Sequence, residues 1–149
     1  MENKLPTRKK LRLKYYDYSK QGLYFITICI KNREKILGKI NDNQIELFKE
    51  GVIVKNSIRD IEKIYMNIKI DEYIVMPNHI HIIITINNNN SINIARIIKQ
   101  YKGSVTKKIG YSIWQKSYYE HIIRDEKEYY NIKEYIQNNI INWEKDKYF

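Results

Sequence analysis

Apolar residues recur at two different periods along this chain, and the switches between them mark out its elements. Residues 23–30 form a continuous apolar, β-branched run that predicts a buried first strand. Residues 38–47 hold short apolar runs around Asn41-Asp42-Asn43, turn chemistry that predicts a small hairpin. Over 48–65 the spacing becomes helical, with Val54, Ile58, Ile61 and Tyr65 on one stripe. Residues 68–76 and 79–86 return to strand character around a tight Pro77-Asn78 turn. A polar loop follows at 87–90. The next helix is expected to start near Ser91, a favourable N-cap, and its stripe is Ile94, Ile97, Ile98 and Tyr101. A last strand is expected at 118–123. The final helix opens at Asp125, with Glu128 three residues on as in a capping box. Its stripe runs through Tyr129, Ile132, Ile136, Ile140 and Trp143. The order β–α–β–β–α–β, with an added hairpin and a C-terminal helix, predicts an α+β fold, a ferredoxin-like antiparallel sheet with packed helices. With no repeat and no linker, residues 1–149 read as one domain with a basic N-terminal segment at 1–20.

Composition sharpens this picture. At 149 residues and 43% hydrophobic, the chain can bury a proper core, which excludes a disordered polypeptide. The net charge of +10 favours a polyanionic partner, nucleic acid before membrane, although an AT-rich coding bias would also enrich Lys. Two segments concentrate that charge. Arg8, Lys9, Lys10, Arg12 and Lys14 precede Tyr15, Tyr16 and Tyr18, and interleaved cations and rings suit phosphates and bases; a solvated tail is the alternative. Lys99, Lys102, Lys107 and Lys108 load the second helix, as a DNA groove or a solvated face. Cys29 is the only cysteine, so no intrachain disulfide and no thiolate zinc site can form, which suits a reducing cytosol. The N-terminus has no apolar signal region, and no apolar run reaches membrane-spanning length. A cytoplasmic protein, associated with the nucleoid when bound to DNA, is the expectation.

The chemistry is concentrated at His79-Ile80-His81. On a strand these two imidazoles share a face, about 7 Å apart along the chain, while Ile80, Ile82, Ile84 and Ile86 point into the core. Two imidazoles on a rigid strand make a natural pair of metal ligands; two ordinary polar-face residues are the plainer reading. Tyr135 and Asn139 stand at i and i+4 of the last helix, on the flank of its stripe. If that helix crosses the histidine strand, two imidazoles, an amide oxygen and a phenol converge. A divalent cation, Mg²⁺ or Mn²⁺, held by His79, His81 and Asn139 could withdraw charge from a phosphodiester. Tyr135 could then attack phosphorus, giving a 5′-phosphotyrosine and a free 3′-OH.

At this point the chain resembles the REP-associated tyrosine transposases, a branch of the single-tyrosine HUH transposase family, also described as IS200-like. The resemblance rests on Arg12-Leu13-Lys14-Tyr15-Tyr16-Asp17-Tyr18, on Tyr24 to Cys29 with Asn32-Arg33-Glu34, and on Val75-Met76-Pro77-Asn78-His79-Ile80-His81. It extends to Lys102-Gly103-Ser104-Val105-Thr106-Lys107-Lys108, to Trp114 through Arg124, to Tyr135-Ile136-Gln137-Asn138-Asn139 and to Trp143-Glu144. It implies that His79 and His81 bind the metal, that Asn139 is a third ligand and that Tyr135 is the nucleophile. It also implies a single-stranded-DNA endonuclease and strand transferase acting on hairpin-forming repeats, as a monomer or homodimer. One departure is Ile140, where many relatives carry Pro; the last turn is expected to continue as helix.

Alternatives remain at this stage. Tyr129 and Tyr130 are rival nucleophiles on the same helix. His121 is an auxiliary candidate for contacting DNA beside the cut, against a packing role. The competing functions are a non-catalytic ferredoxin-like DNA- or RNA-binding module and a metal-dependent phosphodiesterase that uses water.

Overall fold

The structure is a computed structural model that describes residues 22–87 and 93–149. The basic segment at 1–20, with Arg12 and Lys14, and the expected N-cap Ser91 lie outside the described residues. Among the described residues, six strands and three α-helices follow in chain order: β1 (Gly22–Cys29), β2 (Gly38–Asn41), β3 (Gln44–Leu47), α1 (Lys49–Ile64), β4 (Ile68–Val75), β5 (His79–Ile86), α2 (Ile94–Ile109), β6 (Tyr119–Ile122) and α3 (Glu126–Gln137). The main sheet runs β4-β5-β1-β6 and is antiparallel throughout. With β2 and β3 set aside as a hairpin, this is the ferredoxin-like strand order. Asp42 and Asn43 turn that hairpin at φ of 52° and 61°, the left-handed conformation a two-residue connection demands.

The sheet is covered on both sides. Ile80, Ile82, Ile84 and Ile86 of β5 pack with Val54, Ile58 and Ile61 of α1 and with Ile94, Ile97, Ile98 and Tyr101 of α2. On the opposite face Leu23, Ile83 and Ile123 meet Tyr129 and Ile136 of α3. Every residue of β5 is therefore buried, and no polar face of that strand reaches water. Among the described residues no helix is long and apolar enough to cross a membrane.

Two boundaries differ from expectation. Asn93, not Ser91, caps α2, accepting a hydrogen bond from the Arg96 amide at 2.9 Å. A cap works only where its side chain meets the first free N–H groups, and Asn93 directly precedes Ile94. The last helix does not continue through Ile140: α3 stops at Gln137, and residues 138–142 form turns before a short 3₁₀ turn at Trp143–Lys145. The stripe position Trp143 is still buried, at 7% exposure, but it is delivered by that turn.

Candidate active site

β5 carries His79 and His81 on the face that α3 covers. Strand alternation puts both rings on one side, and both are sealed from solvent, with centroids 4.7 Å apart. Their Nδ1 atoms are engaged. His79 Nδ1 lies 2.8 Å from Asn78 Oδ1. The Asn78 amide is oriented by its own Nδ2, which donates to the main-chain carbonyls of Tyr148 at 2.7 Å and Arg33 at 3.4 Å. An amide oxygen only accepts, so His79 carries its proton on Nδ1 and turns a bare Nε2 lone pair to the site. His81 Nδ1 meets Thr27 Oγ1 at 2.8 Å, across the β1–β5 ladder. Burial pushes the His79 pKa down to about 4, opposed by the nearby Asp146 carboxylate. Burial likewise holds His81 well below its ordinary value, helped by the charges of His79 and Lys147. Both rings are neutral near pH 7, the form that binds a cation.

α3 brings the remaining groups. Its N-terminus is fixed by Asp125, which accepts from the Glu128 amide at 2.8 Å. In the last turn of the helix, the Tyr135 ring lies 5.3 Å from His81 and edge-on to Phe25 at 6.5 Å. Tyr135 is 40% exposed, whereas Asn139 is 1% exposed in the turn that follows. The Asn139 side chain sits against the His79 ring. Its Nδ2 donates to Asp146 Oδ2 at 2.7 Å, and the Tyr135 hydroxyl donates to the same oxygen at 3.1 Å. Burial first, and then the Asp146 charge, push the Tyr135 pKa up, so the phenol is held protonated.

Three buried atoms at this point have no hydrogen-bond partner: His79 Nε2, His81 Nε2 and Asn139 Oδ1. Leaving such a group unpaired costs about 1–3 kcal/mol. His79 Nε2 and Asn139 Oδ1 are bare lone pairs, His81 Nε2 is a third in the tautomer whose Nδ1–H donates to Thr27 Oγ1, and two imidazole nitrogens with one amide oxygen are a donor set suited to a divalent transition metal. Among the described residues no group of three or more His, Cys, Asp or Glu side chains is gathered for a cation; beside the two imidazoles, the unpartnered donor at this point is the Asn139 amide oxygen. The residues present fit a metal.

A cleft of about 480 Å³ opens beside Tyr135, lined by Phe25, Tyr119, Asn131, Lys145, Lys147 and Tyr148 among others. A second hollow of about 270 Å³, on Thr27, Arg33, Gln115, Tyr118 and Tyr119, shares the Tyr148 ring. Rings and cations side by side suit unstacked bases and phosphates. Tyr148 packs on His79 at 4.4 Å between ring centroids.

The other residues singled out in the sequence lie elsewhere. α2 is on the far face of the sheet from the histidines. Lys99 and Lys107 are exposed there. Lys102 Nζ donates to the carbonyls of Gln115 at 2.8 Å and Lys116 at 3.1 Å, tying α2 to the rim of the second hollow. Lys108 reaches Ser57 Oγ at 3.0 Å and the Asp60 carboxylate at 3.3 Å. His121 pairs with Glu128 at 2.6 Å. Tyr129 is buried with its hydroxyl 3.3 Å from Asp71, and Tyr130 stacks edge-on against it, so neither joins the cluster.

Asn78, Thr27, Asp146 and Tyr148 were not singled out as site residues from the sequence. Thr27 had a signal, a hydroxyl inside an apolar strand directly opposite a histidine. Asp146 and Tyr148 had none, because the seven residues from Trp143 follow no period.

Comparisons with known proteins give the chain's family and fold. The family described as "Transposase IS200 like" matches residues 18–139. A Haemophilus influenzae protein of uncharacterised function is 39% identical over 167 residues, covering 95% of this chain and 93% of its own length. The REP-associated tyrosine transposase of Escherichia coli is 28% identical over 125 residues, covering 82% of this chain and 68% of its own. A solved structure of a REP-associated tyrosine transposase bound to a REP hairpin superposes with a TM-score of 0.69 at 24% identity, covering 83% of this chain and 69% of that one. At that identity the superposition establishes the fold.

Proposed function

This chain belongs to the IS200-like transposase family, and on that premise we propose that it cuts and rejoins single-stranded, hairpin-forming DNA through a tyrosine nucleophile and a divalent metal. The observation that carries the reading is the meeting of a solvent-reached phenol, Tyr135, with three buried, unpartnered polar atoms, His79 Nε2, His81 Nε2 and Asn139 Oδ1. A binding module has no use for that combination, since unpaired buried acceptors only cost stability.

His79, His81 and Asn139 would hold the metal, and the two imidazoles would favour Mn²⁺ over the oxygen-seeking Mg²⁺. When bound, the metal would supply Lewis-acid withdrawal of charge from the phosphodiester. Everything else falls to side chains. Asn78 and Thr27 keep the imidazole lone pairs aimed at the site. Tyr119, Phe25 and Tyr148 offer ring faces to unpaired bases, and Lys145 and Lys147 offer charge to the backbone. The Tyr135 hydroxyl gives up its proton and its oxygen bonds to phosphorus as the bond to the 3′-oxygen breaks, and the departing 3′-oxygen takes up a proton. The products are a 5′-phosphotyrosine and a 3′-OH, and attack by another 3′-OH reverses the step. A hairpin substrate is supported by the relative solved with a REP hairpin.

Tyr135→Phe tests this reading. Removing one hydroxyl leaves the fold and the metal donors intact, so single-stranded substrate should still bind while cleavage disappears. Full cleavage by that variant would make water the nucleophile and overturn the proposal.

A further inference from the structure

We propose that Asp146 is a positioning residue of the metal site, one that selects which end of the Asn139 amide faces the cation. The inference rests on the reading of His79, His81 and Asn139 as metal donors. A carboxamide presents either an oxygen or an NH₂ at nearly the same place, depending on a half-turn about its last bond. Only the oxygen can ligate; the NH₂ would set two N–H dipoles against a positive ion. Something must choose between them, and Asp146 does so. Its carboxylate only accepts, it stands 2.7 Å from Asn139 Nδ2, and the opposite corner of the amide, Oδ1, is left buried without a partner.

The carboxylate is itself held. Oδ1 accepts the Tyr148 amide N–H at 2.8 Å, while Oδ2 also accepts the Tyr135 hydroxyl at 3.1 Å. With two donors on Oδ2 the lone pairs of that oxygen are taken, which argues for orientation of the ligand rather than ligation by Asp146. The same oxygen thereby ties the nucleophile and the third ligand to one point. The short tail is anchored in turn by Asn78, whose Nδ2 donates to the Tyr148 carbonyl. Loss of a group that orients a metal ligand typically weakens affinity about 10–100-fold.

The test is Mn²⁺ binding without DNA, read from the free-ion electron paramagnetic resonance signal at pH 7, with thermal melts confirming that each variant is folded. Asp146→Ala should weaken Mn²⁺ about 10–100-fold. Asp146→Asn still offers an acceptor oxygen and should recover most of the affinity. In an Asn139→Asp background both ends of the ligand are oxygens, so adding Asp146→Ala should cost little; this non-additivity is the signature of orientation. Unchanged Mn²⁺ binding by Asp146→Ala overturns the proposal. So does an Asp146→Asn variant as weak as Asp146→Ala, which would mean that charge or direct ligation matters instead. A paired His79→Ala, His81→Ala variant separates the two levels. If it binds Mn²⁺ normally, the metal-site reading fails; if it loses binding while Asp146→Ala does not, only the role of Asp146 fails.

Discussion

Acidifying the metal-free protein from pH 7 to pH 5 should destabilise it through the two buried histidines. His79 has a folded-state pKa of about 4, below its ordinary 6.5, because burial excludes the charged ring. The unfolded chain therefore takes up the proton first. The stability this ring contributes is complete above pH 6.5 and is lost as the pH falls toward 4. At pH 5 an unfolded His79 is almost wholly protonated and the folded one only about a tenth, a difference of about 2 kcal/mol. His81 is depressed by burial and by its neighbour, so it adds a loss of the same sign. Against a total of about 5–15 kcal/mol for an ordinary domain, this is a large fraction. The assay is urea denaturation followed by tryptophan fluorescence at both pH values, for the wild type and for a His79→Gln, His81→Gln variant. The wild type should lose at least about 2 kcal/mol more than the variant. Equal losses would refute the argument, since His121 and the carboxylates are common to both proteins.

Four further outcomes follow from residues away from the catalytic cluster. Gly51→Ala should destabilise by about 2–3 kcal/mol in thermal melts, because the added Cβ would lie 2.1 Å from the Leu37 carbonyl oxygen and force α1 outward. Lys102→Ala should cost about 1 kcal/mol of stability through its lost bonds to the Gln115 and Lys116 carbonyls, whereas Lys99→Ala with Lys107→Ala should leave the melt unchanged and flatten the salt dependence of DNA binding. Tyr129→Phe should weaken the fold through its Asp71 contact but leave cleavage intact, which separates it from Tyr135 as nucleophile.

The fold was legible wherever a period persisted. The β5 run, the hairpin turn at Asp42-Asn43 and the α1 and α2 stripes were all visible, because strand and helix periods follow directly from burial on one or two faces. The grouping of His79, His81, Tyr135 and Asn139 was legible for a related reason: i and i+2 on a strand share a side, and an i, i+4 pair keeps a common side even where, as here, the helix gives way to a turn after Gln137. The end of α3 was not. An apolar residue at position 140 or 143 fits a continuing helix and a turn equally well, and the choice fell to tertiary contacts. The orienting groups were harder still. Asn78 and Asp146 act through single hydrogen bonds made by irregular backbone, and irregular backbone leaves no pattern. The charge of the basic helix was legible but its placement was not, since charge on a stripe does not say which face of the sheet will carry it, and α2 lies opposite the histidines.

The central claim is that Tyr135 becomes covalently joined to DNA. The direct measurement is to mix the protein with Mn²⁺ and a single-stranded hairpin substrate, denature, digest with protease and locate the DNA-bearing peptide by mass spectrometry. The account predicts a 5′-phosphate linkage on Tyr135 and a released strand ending in 3′-OH. An adduct on Tyr129, Tyr130 or Tyr148, or complete cutting with no adduct, would contradict it.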